Sequence, residues 1–196
     1  PETGAQTVMT TLLPAGAPAT IGEAFAHINA VTAPSLDDLK VMVLLEAAEG
    51  ALYEIESEVR EQIAGDKAAR AGGPDEGTIE VIAVLANVLD KRAIRDVISR
   101  NRVETIYHAA AHKHVPIVEN NPGMGLLNNT FGTIALARAA EDLGVERFVF
   151  VSTDKAVRPS SVMGASKRLA EMVLQSMAAI RSGPPIFTTV RFGNVL

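Results

Sequence analysis

The chain has no cysteine, so disulfide bonds and thiolate chemistry are excluded, and a reducing compartment is the natural setting. It also lacks a basic excess. The net charge is −5 and the isoelectric point about 5.4, which leaves no positive field to hold nucleic acid. Its apolar runs are too short, or too interrupted by charge, to cross a bilayer, and no signal peptide is evident. What is present is 47% hydrophobic residues in a length of 196, enough for a globular domain with a sizeable core. The sequence opens on Pro1 rather than Met and stops at Leu196, on an expected strand, so it reads as part of a longer protein.

Six apolar, β-branched runs are expected as strands: Val8–Leu13, Val41–Leu45, Ile79–Leu85, Thr105–Ala110, Phe148–Val151 and Ile186–Phe192. They alternate with helical patterns, which argues for crossover units and a parallel sheet covered on both faces. On those helices Leu127, Phe131 and Ile134 share one face, as do Leu169, Val173, Met177 and Ile180. Ser35–Asp38 and Gly65–Gly77 read as loops. No internal repeat or second domain is evident, so residues 1–196 are expected to form one α/β domain. Its class is a Rossmann-type, doubly wound parallel sheet with helices on both faces.

Such sheets bind ligands beyond the carboxyl ends of their strands. The run Phe148–Val151 delivers Ser152, Thr153, Asp154 and Lys155 to that edge, and Lys167 follows on a helix. A carboxylic acid beside an amine at that place can serve as an acid/base pair. After the first strand, Gly16 and Gly22 have the spacing of a dinucleotide loop, in which glycines let backbone approach a pyrophosphate at a helix N-terminus. A glycine is missing between them. Ala19 occupies its place, and Pro18 removes an N–H donor. The plain alternative is an ordinary strand–helix turn. Glu46, after the second strand, stands where an acidic residue binds ribose hydroxyls and repels a 2′-phosphate, which favours NAD over NADP. A solvated surface glutamate is the simpler alternative. Asn87 is placed to hydrogen-bond an adenine edge, and Asp90 to cap the next helix.

Four blocks resemble the extended short-chain dehydrogenase/reductase superfamily, and within it the bacterial nucleotide-sugar 4,6-dehydratases of capsular and other surface polysaccharide biosynthesis. They are His108–Glu119 (HAAAHKHVPIVE), Asn129–Thr133 (NTFGT), Val151–Arg168 (VSTDKAV through MGASKR) and Arg191–Leu196 (RFGNVL). The resemblance implies a Rossmann domain with NAD as cofactor and a UDP-sugar, UDP-N-acetylglucosamine or a relative, as substrate. Oxidation at C4, loss of the C5 proton, departure of water from C6 and return of hydride to C6 would give a 4-keto-6-deoxy sugar. It implies that Lys155 is the C5 base, that Asp154 protonates the departing hydroxyl, that Thr153 lies near the C4 hydroxyl and that Lys167 holds the nicotinamide ribose.

The resemblance further assigns Gly16, Ala19, Thr20, Ile21, Gly22, Glu46, Asn87, Val88, Ala109, Ala110, Ala111, Lys113, Asn129 and Lys167 to the cofactor. Lys113, His114 and Asn194 fall to the substrate. It also implies a cytoplasmic enzyme, anchored in full-length relatives at the inner face of the membrane, and is compatible with a homo-oligomer. Most of the carboxyl-terminal substrate-binding part is expected to be missing.

The family's tyrosine four residues before Lys167 is absent. Met163 stands there, as in the large membrane-anchored members, and a thioether cannot deprotonate a hydroxyl, which leaves Asp154, Lys155 or a water for the C4 hydroxyl. Departures in the loop at Gly16–Gly22, after Leu45 and around Asn87 fall on one pocket. A cofactor-poor, non-catalytic paralogue therefore stands as an alternative, and so, separately, does a 4- or 5-epimerase that shares NAD and the 4-keto intermediate on the same scaffold. His108, His112 and His114 also invite a metal site. Their split between strand and loop, without an acidic residue at ligand spacing, favours hydrogen-bonded and substrate-contacting roles instead.

Overall fold

The computed structural model describes residues 6–11, 39–69 and 79–193. Among these, six strands form one parallel sheet: β1 Gln6–Thr11, β2 Leu39–Glu46, β3 Glu80–Leu85, β4 Thr105–His108, β5 Arg147–Thr153 and β6 Ile186–Phe192. Their spatial order is β3-β2-β1-β4-β5-β6, with every pair parallel. The chain winds outward from β1 to β3, then crosses to β4 and winds the other way. The reversal between β1 and β4 is the switch point of a doubly wound sheet, the fold class expected from the alternation of runs.

The strands read as continuous apolar runs because both faces are covered. Along β2, Val43 and Leu45 join one core with Met9, Ile106, Phe148 and Phe150. Met42 and Leu44 point the other way, into a second core with Leu52, Val59, Tyr107 and Val149. Each such side chain contributes about 1.5–3 kcal/mol on burial, so a one-residue slip in register would expose a whole row.

Helices α1 Glu49–Ala69, α2 Lys91–Asn101, α3 Val115–Asn120, α4 Pro122–Leu126, α5 Thr133–Asp142 and α6 Val162–Ile180 supply the layers. Helix α1 covers the second core, whereas α2, α5 and α6 cover the first. Asp90 caps α2 as expected, accepting from the amides of Arg92 at 3.1 Å and Ala93 at 3.0 Å. A stretch of wider, π-type turns, Leu127–Gly132, joins α4 to α5.

Three expectations are corrected. Helix α1 continues through Gly65 to Ala69, into the segment read as a loop, because the alanines and lysine after Gly65 are strong helix formers and outweigh one glycine. Strand β4 ends at His108 rather than Ala110, while β5 extends to Thr153, so Ser152 and Thr153 belong to the strand itself and Asp154 and Lys155 to the turn after it. The apolar stripes are covered only in part, with Ile134, Val173 and Met177 half-buried. Leu127 and Phe131 do share a face, but it is exposed, and on α6 Leu169 and Ile180 face outward. The buried face of α6 instead carries Met163, Gly164, Ser166, Lys167, Ala170, Glu171 and Leu174. Polar groups with partners in the sheet displaced the hydrophobic stripe. Among the described residues, no helix is long and apolar enough to cross a membrane.

Candidate functional site

An open cleft lies beyond the ends of β2, β3 and β4, lined by Glu46, Ala47, Ala86, Asn87, Val88, Ala110, Ala111 and Asn128 among others. Small side chains on its walls leave space for a flat ring. Glu46 is buried at its rim, and Oε1 accepts from the amides of Ala47 at 2.8 Å and Ala48 at 2.9 Å. It therefore helps to start α1, and among the described residues its Oε2 has no protein partner. The Oδ1 of Asn87 accepts from the Leu89 amide at 2.8 Å, which fixes the turn after β3. Val88 is core rather than surface and packs against the π-type segment. A Cβ on Gly132 would meet Val88 Cγ2 at 2.9 Å, so that approach requires glycine.

The loop after β4 is held from below. Asn129 is fully buried. Its Oδ1 accepts from the His112 amide at 2.7 Å, and its Nδ2 donates to the His112 carbonyl and to Ser166 Oγ, both at 3.0 Å. Its amide is thus occupied by protein and braces the loop that carries Ala110 and Ala111 on the cleft wall. Asn129→Ala would orphan both His112 backbone groups. About 2 kcal/mol of stability should be lost, read as a lowered urea midpoint; an unchanged midpoint would contradict the bracing.

Lys113 is half-buried, and His112 and His114 are exposed on the same loop. His108 is apart from them. It is completely buried, with Nε2 2.8 Å from Thr133 Oγ1, whose own proton goes to the Asn129 carbonyl at 2.7 Å. The hydroxyl must therefore accept, which places a proton on His108 Nε2. Burial, and then the charge of Lys167, lower its pKa to about 3. Among the described residues, no group of three or more side chains could hold a metal ion.

At the end of β5, Thr153 Oγ1 donates to Asp154 Oδ1 at 2.9 Å, and Lys155 Nζ lies 3.3 Å from the same oxygen. Both side chains are about half exposed, on the carboxyl edge of the sheet that also carries the cleft. The hydrogen bond from Thr153, then that from Lys155, hold the Asp154 carboxyl below its ordinary range. Met163 is buried in the first turn of α6. Lys167, also buried, donates from Nζ to the Val151 carbonyl at 2.9 Å and lies 4.5 Å above the Phe150 ring. Burial lowers its pKa to about 7, against the opposing pull of Glu171. Gly16, Ala19, Thr20, Ile21, Gly22 and Asn194 lie outside the described residues.

Sequence reading missed Glu171. It is fully buried and accepts from Ser152 Oγ at 2.6 Å, from Arg168 Nη1 at 2.9 Å and from Arg191 through Nε at 2.8 Å and Nη2 at 2.7 Å. The available signal was its spacing, four residues after Lys167 on one helical face.

The chain matches the polysaccharide biosynthesis protein family over residues 12–196. It is 42% identical over 159 residues to the capsular polysaccharide biosynthesis protein CapD of Staphylococcus aureus, covering 81% of this chain and 24% of that protein. Pen from Bacillus thuringiensis superposes with a TM-score of 0.73 at 25% identity, over 98% of this chain and 51% of that one. The dTDP-glucose 4,6-dehydratase DesIV of Streptomyces venezuelae, solved with NAD bound, shares the fold with a TM-score of 0.64 at 21% identity, over 95% of this chain and 55% of that one. The chain thus spans about a quarter of CapD and half of these solved structures. With the fold, the switch point and the matched segment in agreement, the chain belongs to the polysaccharide biosynthesis protein family, in the extended short-chain dehydrogenase/reductase group.

Proposed function

We propose that this chain is the NAD-binding part of an enzyme that dehydrates a UDP-N-acetylhexosamine to a 4-keto-6-deoxy sugar for surface polysaccharide. One observation carries the reading: an acid and an amine share a contact at the end of β5, on the same sheet edge as the cleft. The cleft suits the adenosine end of a dinucleotide. Alanines leave room for the base, and Glu46 Oε2 can accept from a ribose hydroxyl, which a 2′-phosphate would oppose. When bound, NAD would supply the acceptor and later the donor of hydride.

The remaining chemistry falls to protons. In water the Asp154–Lys155 pair is ionic. A sugar closing over it removes water, and one proton moved from Nζ to Oδ1 gives a neutral amine beside a carboxylic acid, the form that a dry site favours. These are the two species that elimination needs. Lys155 takes the C5 proton, Asp154 gives its proton to the departing C6 hydroxyl, and the ion pair is restored as water leaves. Thr153 orients the C4 hydroxyl, and Lys113 and His114 approach the nucleotide-sugar from the loop after β4.

Calorimetry with NAD tests the reading, and absence of heat at millimolar cofactor would defeat it. In a form extended to the length of its relatives, mass spectrometry should find a 4-keto-6-deoxy product, whereas a 4- or 5-epimer would assign the scaffold to epimerisation. In that form Lys155→Met should abolish exchange of the C5 proton with solvent deuterium. Exchange at the parent rate would remove Lys155 from the role of base.

A further inference from the structure

Gly164, Lys167 and Glu171 occupy positions i, i+3 and i+7 of α6 and therefore one face. Each meets a different residue near the end of β5. A Cβ on Gly164 would run into the Lys155 carbonyl oxygen; Lys167 Nζ reaches the Val151 carbonyl; Glu171 reaches the Ser152 hydroxyl. Ser152 and Arg191 are register partners across β5 and β6, and Glu171 grips both. One buried carboxylate thus ties the helix to two strands, immediately before Thr153, Asp154 and Lys155.

We propose that Glu171 is a positioning residue for the acid–amine pair: through Ser152 it anchors the end of β5, and its charge sets the electrostatic environment of Lys167. The proposal rests on the dehydratase reading for the purpose of the pair, but the anchoring is independent of any ligand.

The geometry separates the two parts. The hydroxyl of Ser152 is the mechanical link to β5. The carboxylate charge acts on Lys167, whose electrostatic neighbours among the described residues are Glu171 on its own helix and His108 on β4. Arg168 and Arg191 stand beyond Glu171 and neutralise it in part. A purely structural ion cluster would alter stability when cut and leave the titration of Lys167 where it was.

Two variants of the chain test this by NMR. Ser152→Ala removes the link and keeps the charge. The amides at the end of β5 and in the turn after it should exchange about tenfold faster, with those of β4 unchanged and the Lys167 midpoint unmoved. Glu171→Gln keeps the shape and removes the charge. The Lys167 side-chain midpoint should then fall below that of the parent chain, because the interaction that raises it is gone. Parent-like exchange in Ser152→Ala, or a parent-like Lys167 midpoint in Glu171→Gln, overturns the proposal. Should Glu171→Gln fail to fold, exchange in Ser152→Ala decides it. Neither readout needs NAD, so failure of cofactor binding would remove the enzymatic reading and leave this one to its own data.

Discussion

Gly164→Ala should destabilise the chain by about 1–3 kcal/mol and push Lys155 away from Asp154. Two effects oppose each other. Alanine is the better helix former, which favours the variant by up to about 1 kcal/mol. Against that, the new methyl overlaps the backbone carbonyl of Lys155 and comes within 3.3 Å of Pro159 Cβ. The obstacle is backbone, fixed by the turn Asp154–Ala156, whose Ala156 is fully buried. It cannot swing aside as a side-chain tip could, so overlap wins. The helix must back away from the sheet or the turn must move, and either change disturbs the 3.3 Å contact between Lys155 and Asp154. Urea denaturation measures the loss, and the NMR shifts of the Lys155 and Asp154 side chains report the displacement. Gly123→Ala is the control, since a Cβ there meets nothing within 4 Å. Equal stabilities for the two variants would mean that α6 does not bear on the turn.

The features readable from sequence were those set by local pattern. Met42–Leu45 and Phe148–Phe150 announce strands buried on two faces because nothing polar interrupts them. Asp154 and Lys155 could be put at the end of β5 because the apolar run stops just before them, whatever its neighbours do. Asp90 was legible as a cap because capping uses amides two and three residues away. What could not be read depends on partners distant in sequence. Nothing near Glu171 shows that Arg191, twenty residues on, will neutralise it, so an acidic residue in an apolar helix reads as surface. Family resemblance assigns Asn129 to the cofactor, and nothing near it in sequence shows that His112 and Ser166 will fill its amide. Part of the α6 stripe failed for the same reason. Lys167 and Glu171 face the sheet because β5 supplies a carbonyl and a hydroxyl to receive them, and Leu169 is turned outward.

Stability should rise with pH in two windows, the acid one set by two buried groups and the alkaline one by a third. In the acid window His108 and Glu171 act together. The folded chain keeps His108 neutral down to about pH 3, whereas the unfolded chain takes up that proton near 6.5. Burial opposes the Glu171 carboxylate, but its hydrogen bonds from Arg191, Ser152 and Arg168 prevail and bring its pKa to about 2 from 4.5. In both cases the unfolded chain binds more protons, so stability falls as pH falls from 6.5 towards 2. In the alkaline window Lys167 has lost its proton in the folded chain above about pH 7, whereas the unfolded chain holds it up to 10.5. The unfolded chain again binds more protons, and stability climbs from pH 7 towards 10. The gain is up to about 4 kcal/mol, since one proton held only by the unfolded chain is worth about 1.4 kcal/mol for each pH unit crossed. Above pH 10 the sign reverses. The Tyr107 phenol, raised by burial, keeps its proton in the folded chain after the unfolded one has lost it. Urea midpoints measured from pH 4 to 10 should therefore rise throughout. Lys167→Met leaves the Val151 carbonyl without its donor, which lowers stability, and removes the group that titrates between pH 7 and 10. That variant should be flat from pH 7 to 10 and keep most of the acid slope, losing only the share of the His108 shift that the Lys167 charge supplies, whereas His108→Gln should soften the acid slope and keep the alkaline one. An alkaline rise as steep in Lys167→Met as in the parent chain would show that Lys167 stays protonated where it lies, against the burial that lowers its pKa.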